Sequence, residues 1–363
     1  MAVFRVLHRW IGLSVVPIFF VTCLTGLALV YQKGIVRQMV TPDAVLPDQY
    51  GVQQVGAELE QLMAMPQFHS DALIKAPNAE EPYWWIRRPG GDKQLFRIGD
   101  LQQYEQGVWI LPVLEFARHL HIELLSGLVG EVLLLYVGLM TLLLGFTGIW
   151  LWWPQRRGFH WRWVIPPRRR LKLKSFLRLH SQSGIVLLPM FFVVPLTASV
   201  MMFQKVRNAL TAAPVVATEM VDYAEVSNGQ IAAALKLSVD SIENSWPTYI
   251  RLLPGDVPTA KFRLRLEDEW HPNGRTNIVV DLGAMAITDL QDVRQARPLK
   301  QVLNQMYPLH SSYGMPLFYS ILTALVGVGS LWLLVTGTGS WLRVNLRQNQ
   351  FQRSKLQLAE KTG

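Results

Sequence analysis

Four stretches of the chain are apolar almost without interruption: Trp10 to Gln32, Val132 to Trp153, Ser181 to Gln204 and Met315 to Leu342. At about 1.5 Å of rise per residue, each helix is long enough to cross a hydrocarbon core of roughly 30 Å. The segments between them alternate instead. Gln54 to Met63 and Gly229 to Leu237 space their apolar residues as short helices do. Strand-like runs lie at Tyr83 to Arg88, Gln94 to Ile98, Thr248 to Leu253, Lys261 to Leu266 and Thr276 to Asp281. Pro89-Gly90-Gly91-Asp92, Pro254-Gly255-Asp256 and Pro272-Asn273-Gly274 supply turns between them. The pattern predicts four transmembrane helices and two small α+β modules, one in each long loop.

The helices are predicted to form an internal repeat. Leu7-His8-Arg9-Trp10-Ile11-Gly12 returns as Leu179-His180-Ser181-Gln182-Ser183-Gly184. Without a gap, Pro17 then matches Pro189, Phe19-Phe20 match Phe191-Phe192, Thr25 matches Thr197 and Gln32-Lys33 match Gln204-Lys205. A second pair follows the same rule: Leu120-His121 with Leu309-His310, Gly138 with Gly327, Thr147-Gly148 with Thr336-Gly337, and Trp152 with Trp341. Apolar helices share Leu and Val by chance, but not His, Gly, Pro and Thr in one register. The expected fold class is a membrane protein of four transmembrane helices, arranged as a parallel duplicated helix pair.

The expected segments are 1–33 for the N-terminus and first helix, 34–118 for the first outer module, and 119–153 for the second helix. A basic loop at 154–178 leads to a third helix at 179–204, a second module at 205–308, a fourth helix at 309–342 and a tail at 343–363. Only Arg5 and Arg9 precede the first run and no Ala-x-Ala-like site follows it, so it is expected to stay as a signal anchor.

Charge sets the orientation. Of the net +9, nine Lys/Arg and no acid lie in 154–178, and with 1–10 and 343–363 the count is sixteen basic residues against Glu360 alone. That excess marks the cytoplasmic side, placing both termini inside and the long loops in the periplasm of a bacterium-like inner membrane. Trp150, Trp152, Trp153, Trp161 and Trp163 fit an interfacial belt there. Beside a membrane span, the basic cluster points to anionic lipid rather than nucleic acid. The one cysteine, Cys23, excludes a disulfide or a dithiol centre within the chain.

The candidate chemistry lies in four histidines. A parallel repeat has its pseudo-two-fold axis along the membrane normal, which preserves depth. His8 and His180 therefore share the inner level, and His121 and His310 the outer one. Two imidazoles on helices related by a two-fold can approach a planar macrocycle from opposite faces, as six-coordinate bis-His haem requires. Gly12 and Gly184, one turn beyond their histidines, would leave room for a flat ring. The alternative is that these are interfacial histidines and close-packing glycines.

Two His per level, without a matched Cys, Asp or Glu, is too few for a closed zinc site. His119 competes with His121, but its repeat partner is Pro308. His69, His160 and His271 have no repeat partners and read as loop residues. Glu131, at the border of the second run, is either a proton or ligand group or a side chain reaching the interface. About ten residues of helix between His121 and Glu131 would set His121 up to ~15 Å farther out. Gly327-Val328-Gly329 and Gly337-Thr338-Gly339 lie in an apolar span and read as packing glycines, not a dinucleotide fingerprint. No Walker A, HExxH or GxSxG motif is present, and no NAD or flavin site is recognisable.

These motifs, with Thr147-Gly148-Ile149-Trp150-Leu151-Trp152-Trp153-Pro154, resemble the PepSY-associated transmembrane family over nearly the whole chain. The strands, especially Thr276 to Leu290, resemble its PepSY-like periplasmic modules. The family includes bacterial inner-membrane reductases acting on ferric siderophores. The resemblance implies an oxidoreductase with two b-type haems, whose axial ligands are His8, His180, His121 and His310. Electrons would pass from a cytoplasmic or quinol donor to the inner level, then to the outer level, then to a periplasmic ferric siderophore, releasing Fe(II). The absence of Cys-x-x-Cys-His makes the haems non-covalent.

Strand alternation puts Tyr83, Trp85 and Arg87 on one face, a candidate docking surface, with Trp84 in the module core. Trp246, Tyr249 and Arg251 are its counterparts in the second loop. Their other reading is packing between the modules. Two other functions stay open. One is a non-enzymatic protein whose modules bind a periplasmic protease or envelope enzyme. The other is an iron or siderophore transporter, with Pro17 and Pro189 as matched helix breaks but few ionisable residues beside them.

Overall fold

The computed structural model describes residues 1–65, 72–87, 93–164, 173–212, 229–253 and 257–362. Among these the helices are α1 (Ala2–Val30), α2 (Gln32–Met39), α3 (Val52–Met63), α4 (Ile110–Glu123), α5 (Leu128–Trp152), α6 (Leu173–Thr211), α7 (Gln230–Asp240), α8 (Pro298–Asn304), α9 (Met306–Ser311) and α10 (Leu317–Thr362). The strands are β1 (Leu73–Lys75), β2 (Trp84–Arg87), β3 (Lys93–Phe96), β4 (Ser245–Leu253), β5 (Thr259–Leu266), β6 (Thr276–Asp281) and β7 (Ala286–Gln291). The turns expected at 89–92 and 254–256 and the residue His69 lie outside the described residues. The chain divides into two compact units: 1–30, 118–210 and 309–363 form one, and 31–117 with 211–308 the other.

The first unit is built on four helices long and apolar enough to cross a membrane, at Ala2–Val30, Leu128–Gly158, Ser175–Thr211 and Leu317–Leu346. The protein is thus a multi-pass membrane protein. α1 packs against α5 and α10. Small residues permit the close approaches: a Cβ on Gly327 would meet Leu27 at 2.7 Å, and one on Gly329 would meet Leu187 at 2.4 Å. α1 runs through Pro17 without interruption, and α6 runs through both Pro189 and Pro195, so the prolines do not break these helices.

The second transmembrane helix does not begin at residue 119. α4 ends at Glu123, Leu124, Leu125 and Gly127 take positive φ, and α5 starts at Leu128. Gly130 folds back so tightly on the Glu123 carbonyl that a Cβ would sit 1.7 Å from it. The other half behaves alike: α9 ends at Ser311, Ser312 and Gly314 take positive φ, and α10 starts at Leu317. His121 and His310 thus stand on short helices preceding the spans. The expected ~15 Å of continuous helix between His121 and Glu131 does not exist.

The two long loops do not fold as separate modules. Their strands form one seven-stranded antiparallel sheet in the order β3-β2-β1-β4-β5-β6-β7. The join is β1 against β4, with Ile74 opposite Ile250. On one face Ile74, Ile86, Ile250, Phe262 and Ile278 share a core with Leu59 and Leu62 of α3 and Leu235 of α7. α3 and α7 meet where Gly56 faces Ala232, and Glu60 accepts the Ala232 N–H at 2.7 Å. Neither loop could bury its half of that core alone, which is the physical reason for the merger.

Candidate functional site

Within the four-helix unit the predicted histidines come together in pairs. His8 and His180 have ring centroids 6.2 Å apart with an interplanar angle of 79°. His121 and His310 are 6.0 Å apart at 38°. A threonine supports each ring: Nδ1 of His8 lies 2.8 Å from Thr147 Oγ1, and Nδ1 of His121 lies 3.0 Å from Thr25 Oγ1. His180 and Thr336 are 3.3 Å apart, and His310 and Thr197 3.4 Å. Two carbonyls join them, Leu333 O at 3.1 Å from His180 Nδ1 and Val194 O at 3.1 Å from His310 Nδ1.

The hydroxyl protons decide the direction of these bonds. Each threonine donates to the carbonyl four residues back in its own helix, at 2.7 Å for Thr25, 2.9 Å for Thr147, and 2.8 Å for Thr197 and Thr336. A hydroxyl has one proton to give. Oγ1 therefore accepts, and the Nδ1–H of each imidazole donates. Each neutral ring is held in one tautomer with its lone pair on Nε2, as a metal-binding histidine is held by its outer partners.

Three threonines are followed by glycine. A Cβ on Gly26 would meet His121 Cε1 at 3.0 Å, one on Gly337 would meet His180 Cε1 at 3.2 Å, and one on Gly148 would meet His8 Cε1 at 3.6 Å. In the fourth place the residue is Ala198. Thr-Gly thus serves His8, His121 and His180 twice, with a hydroxyl acceptor and a gap for the ring, whereas at His310 only the threonine hydroxyl is in place. A Cβ on Gly12 would meet Leu144 at 3.9 Å and one on Gly184 would meet Leu333 at 3.6 Å, both ordinary contacts.

Other histidines differ. His119 has both nitrogens engaged: Nδ1 bonds Glu123, and Nε2 accepts from Arg118 at 2.9 Å. His160 is exposed, whereas His271, expected as an ordinary loop residue, is 1% exposed. Glu131 does not reach out to the interface; it is buried and paired with Lys205 at 2.6 Å. Among the described residues no three His, Cys, Asp or Glu gather as a metal cluster.

A profile of the PepSY-associated TM region matches residues 5–343. The chain belongs to the PepSY-associated TM family. A search of curated proteins finds no match. In this family member the paired histidines and their threonines all fall inside the matched span. The candidate docking face in the sheet unit does not survive as a surface. Trp84 is in the main core, as expected, but Tyr83 and Trp85 are buried too, under Val36 and Val40 and under Leu111 and Leu114 of α4. Trp85 packs edge-on against Tyr249 at 5.8 Å, and Arg87 pairs with Glu115 at 2.9 Å. The aromatic residues are the second core of the sheet, because one sheet face alone does not bury them.

Proposed function

We propose that this protein is an inner-membrane reductase carrying two b-type haems, one held by His8 and His180 and one by His121 and His310. The observation that supports it is the pairing of the rings. Two imidazoles that held one metal between them through nitrogens at roughly 2 Å would have ring centroids about 6 Å apart. The two pairs, at 6.2 and 6.0 Å, suit that spacing. The fixed tautomers suit it as well, since each Nε2 keeps its lone pair. His8 and Thr25 are separated by about 25 Å along α1 at ~1.5 Å per residue, so the pairs lie at two well-separated levels.

Haem iron at each level would supply one-electron redox chemistry, here used to carry electrons from a cytoplasmic or quinol donor to a periplasmic ferric siderophore. The chain's own part is to orient four imidazoles and to keep the pairs among apolar helices, away from water. The charge distribution supports cytoplasmic termini. The test is single turnover: protein reduced with dithionite and then freed of it is mixed with a ferric siderophore. Reoxidation with Fe(II) appearing in step is expected, slowed in His121→Ala and His310→Ala. A reduced protein indifferent to every ferric chelate offered would overturn the reductase reading.

A further inference from the structure

α4 is apolar on two opposite sides. Leu111 and Leu114 are buried in the second core of the sheet unit. About half a turn round, Trp109 (immediately before α4), Val113 and Phe116 follow the i, i+4, i+7 spacing of a single stripe, and all three are more than half exposed. Leu120 continues the stripe, and Pro112 beside it is exposed as well. At 3.6 residues per turn Glu115 and Arg118 fall outside it, and Glu115 is paired with Arg87 at 2.9 Å.

The other half of the chain keeps the feature. Val302 of α8 matches Val113 in the register that aligns Leu309-His310 with Leu120-His121, and Leu299 matches Ile110. Val302 is 57% exposed and Leu299 69%, with the polar Lys300 and Gln301 between them. Large apolar side chains held outside the core at matched places call for apolar surroundings.

Helix geometry says what those surroundings are. His121, in the last turn of α4, is hydrogen-bonded to Thr25, five residues short of the end of α1. Five residues are ~8 Å of helix. Phe116 is likewise five residues before His121, so α4 carries it no more than ~8 Å from that level whichever way it points, and Val113 no more than ~12 Å. The 29 residues of α1 extend ~43 Å, enough for the hydrocarbon core and both headgroup layers. Phe116 and Val113 therefore cannot stand far clear of the bilayer surface. The chain then runs through exposed Leu125 into the exposed Leu128 and Val129 of α5, so the apolar surface continues from α4 into a span.

We propose that α4 and α8 are interfacial helices, with Trp109, Val113 and Phe116 of the one and Leu299 and Val302 of the other lying in the bilayer surface at the His121 end of the bundle. The partner is lipid at the boundary of headgroups and acyl chains, entered to a depth of ~5–10 Å. Trp109 is of the residue type that prefers that boundary. Held by the sheet core on one side and by lipid on the other, α4 keeps a fixed course, and with it His121 a fixed position. This seat is independent of what the paired histidines bind.

The test uses the full chain in lipid nanodiscs, with Cys23→Ala removing its one thiol. A nitroxide is attached at Val113→Cys or Val302→Cys, and its relaxation by oxygen, which concentrates in lipid, is compared with that by a water-soluble nickel chelate. Leu139→Cys on the exposed side of α5 is the lipid standard, and Lys236→Cys on α7 the water standard. Both test positions are exposed, so the labelled chains are expected to fold. Oxygen is expected to exceed nickel at both, as at Leu139, and nickel to exceed oxygen at Lys236. Nickel exceeding oxygen at either test position would put that helix in water and overturn the proposal. A label shielded from both agents would overturn it too, since protein, a second copy included, would then cover the face.

Discussion

Thr147 Oγ1 lies 2.8 Å from His8 Nδ1 while giving its own proton to Leu143 O at 2.9 Å. That relationship sets the tautomer of His8 and makes its Nε2 a stronger ligand, because a hydrogen bond from Nδ1–H raises the basicity of the ring. The same relationship recurs at Thr25, Thr197 and Thr336.

Thr147→Val keeps the shape and removes the acceptor. In the proposed di-haem reading, haem at the His8/His180 level is expected to bind about 10–100-fold more weakly and to have a raised midpoint potential, with that at the other level unchanged. Thr336→Val should do less, since His180 keeps Leu333 O at 3.1 Å. Spectroelectrochemical titration and haem content measure both. Equal potentials in wild type and Thr147→Val would remove the threonine's role.

The glycines should rank by the room they leave. Gly26→Ala and Gly337→Ala put a methyl 3.0 and 3.2 Å from a histidine carbon, whereas Gly148→Ala leaves 3.6 Å. The first two are expected to lower haem content at the His121 and His180 levels. Gly148→Ala should stay near wild type.

Much of this was legible in the sequence. The four spans, the four histidines and most strands could be placed from apolar runs and repeat register. The threonines were visible only as register markers, because a Thr bonded to its own helix looks the same in sequence whether or not a histidine uses its oxygen. The break at Leu124 and Leu125 has only Ser126-Gly127 as a local signal, a turn dipeptide easily passed over between two apolar runs, since leucine itself rarely takes positive φ. The merger of the loops rests on Leu73-Ile74-Lys75, too short to show alternation and containing a lysine that is 3% exposed.

That lysine gives a pH prediction. Lys75 pairs with Glu81, which Lys33 also approaches at 3.2 Å. Burial pushes the Glu81 carboxyl up, but Lys75, Lys33 and Lys93 outweigh it and hold its pKa at about 2. A depressed carboxylate stabilises the fold above its unfolded pKa of about 4.3, and this is lost as pH falls towards 2. Glu81→Gln should cost about 3–5 kcal/mol near neutrality, by leaving Lys75 buried without its carboxylate, and should flatten this acid limb. Thermal unfolding across that range checks it.

Trp85→Ala separates core from docking surface. At 9% exposure, removing the indole should cost about 3–5 kcal/mol of sheet-unit stability. A variant as stable as wild type would restore the aromatic face as a binding surface.

The central claim is that the paired histidines hold haem. The most direct measurement is the visible spectrum of the purified protein, oxidised and then dithionite-reduced, with haem and protein quantified on one sample. Two low-spin b haems per chain are expected, falling to one in His8→Ala and, independently, in His121→Ala. Wild-type protein purified without haem, and failing to bind it when supplied, would contradict the account.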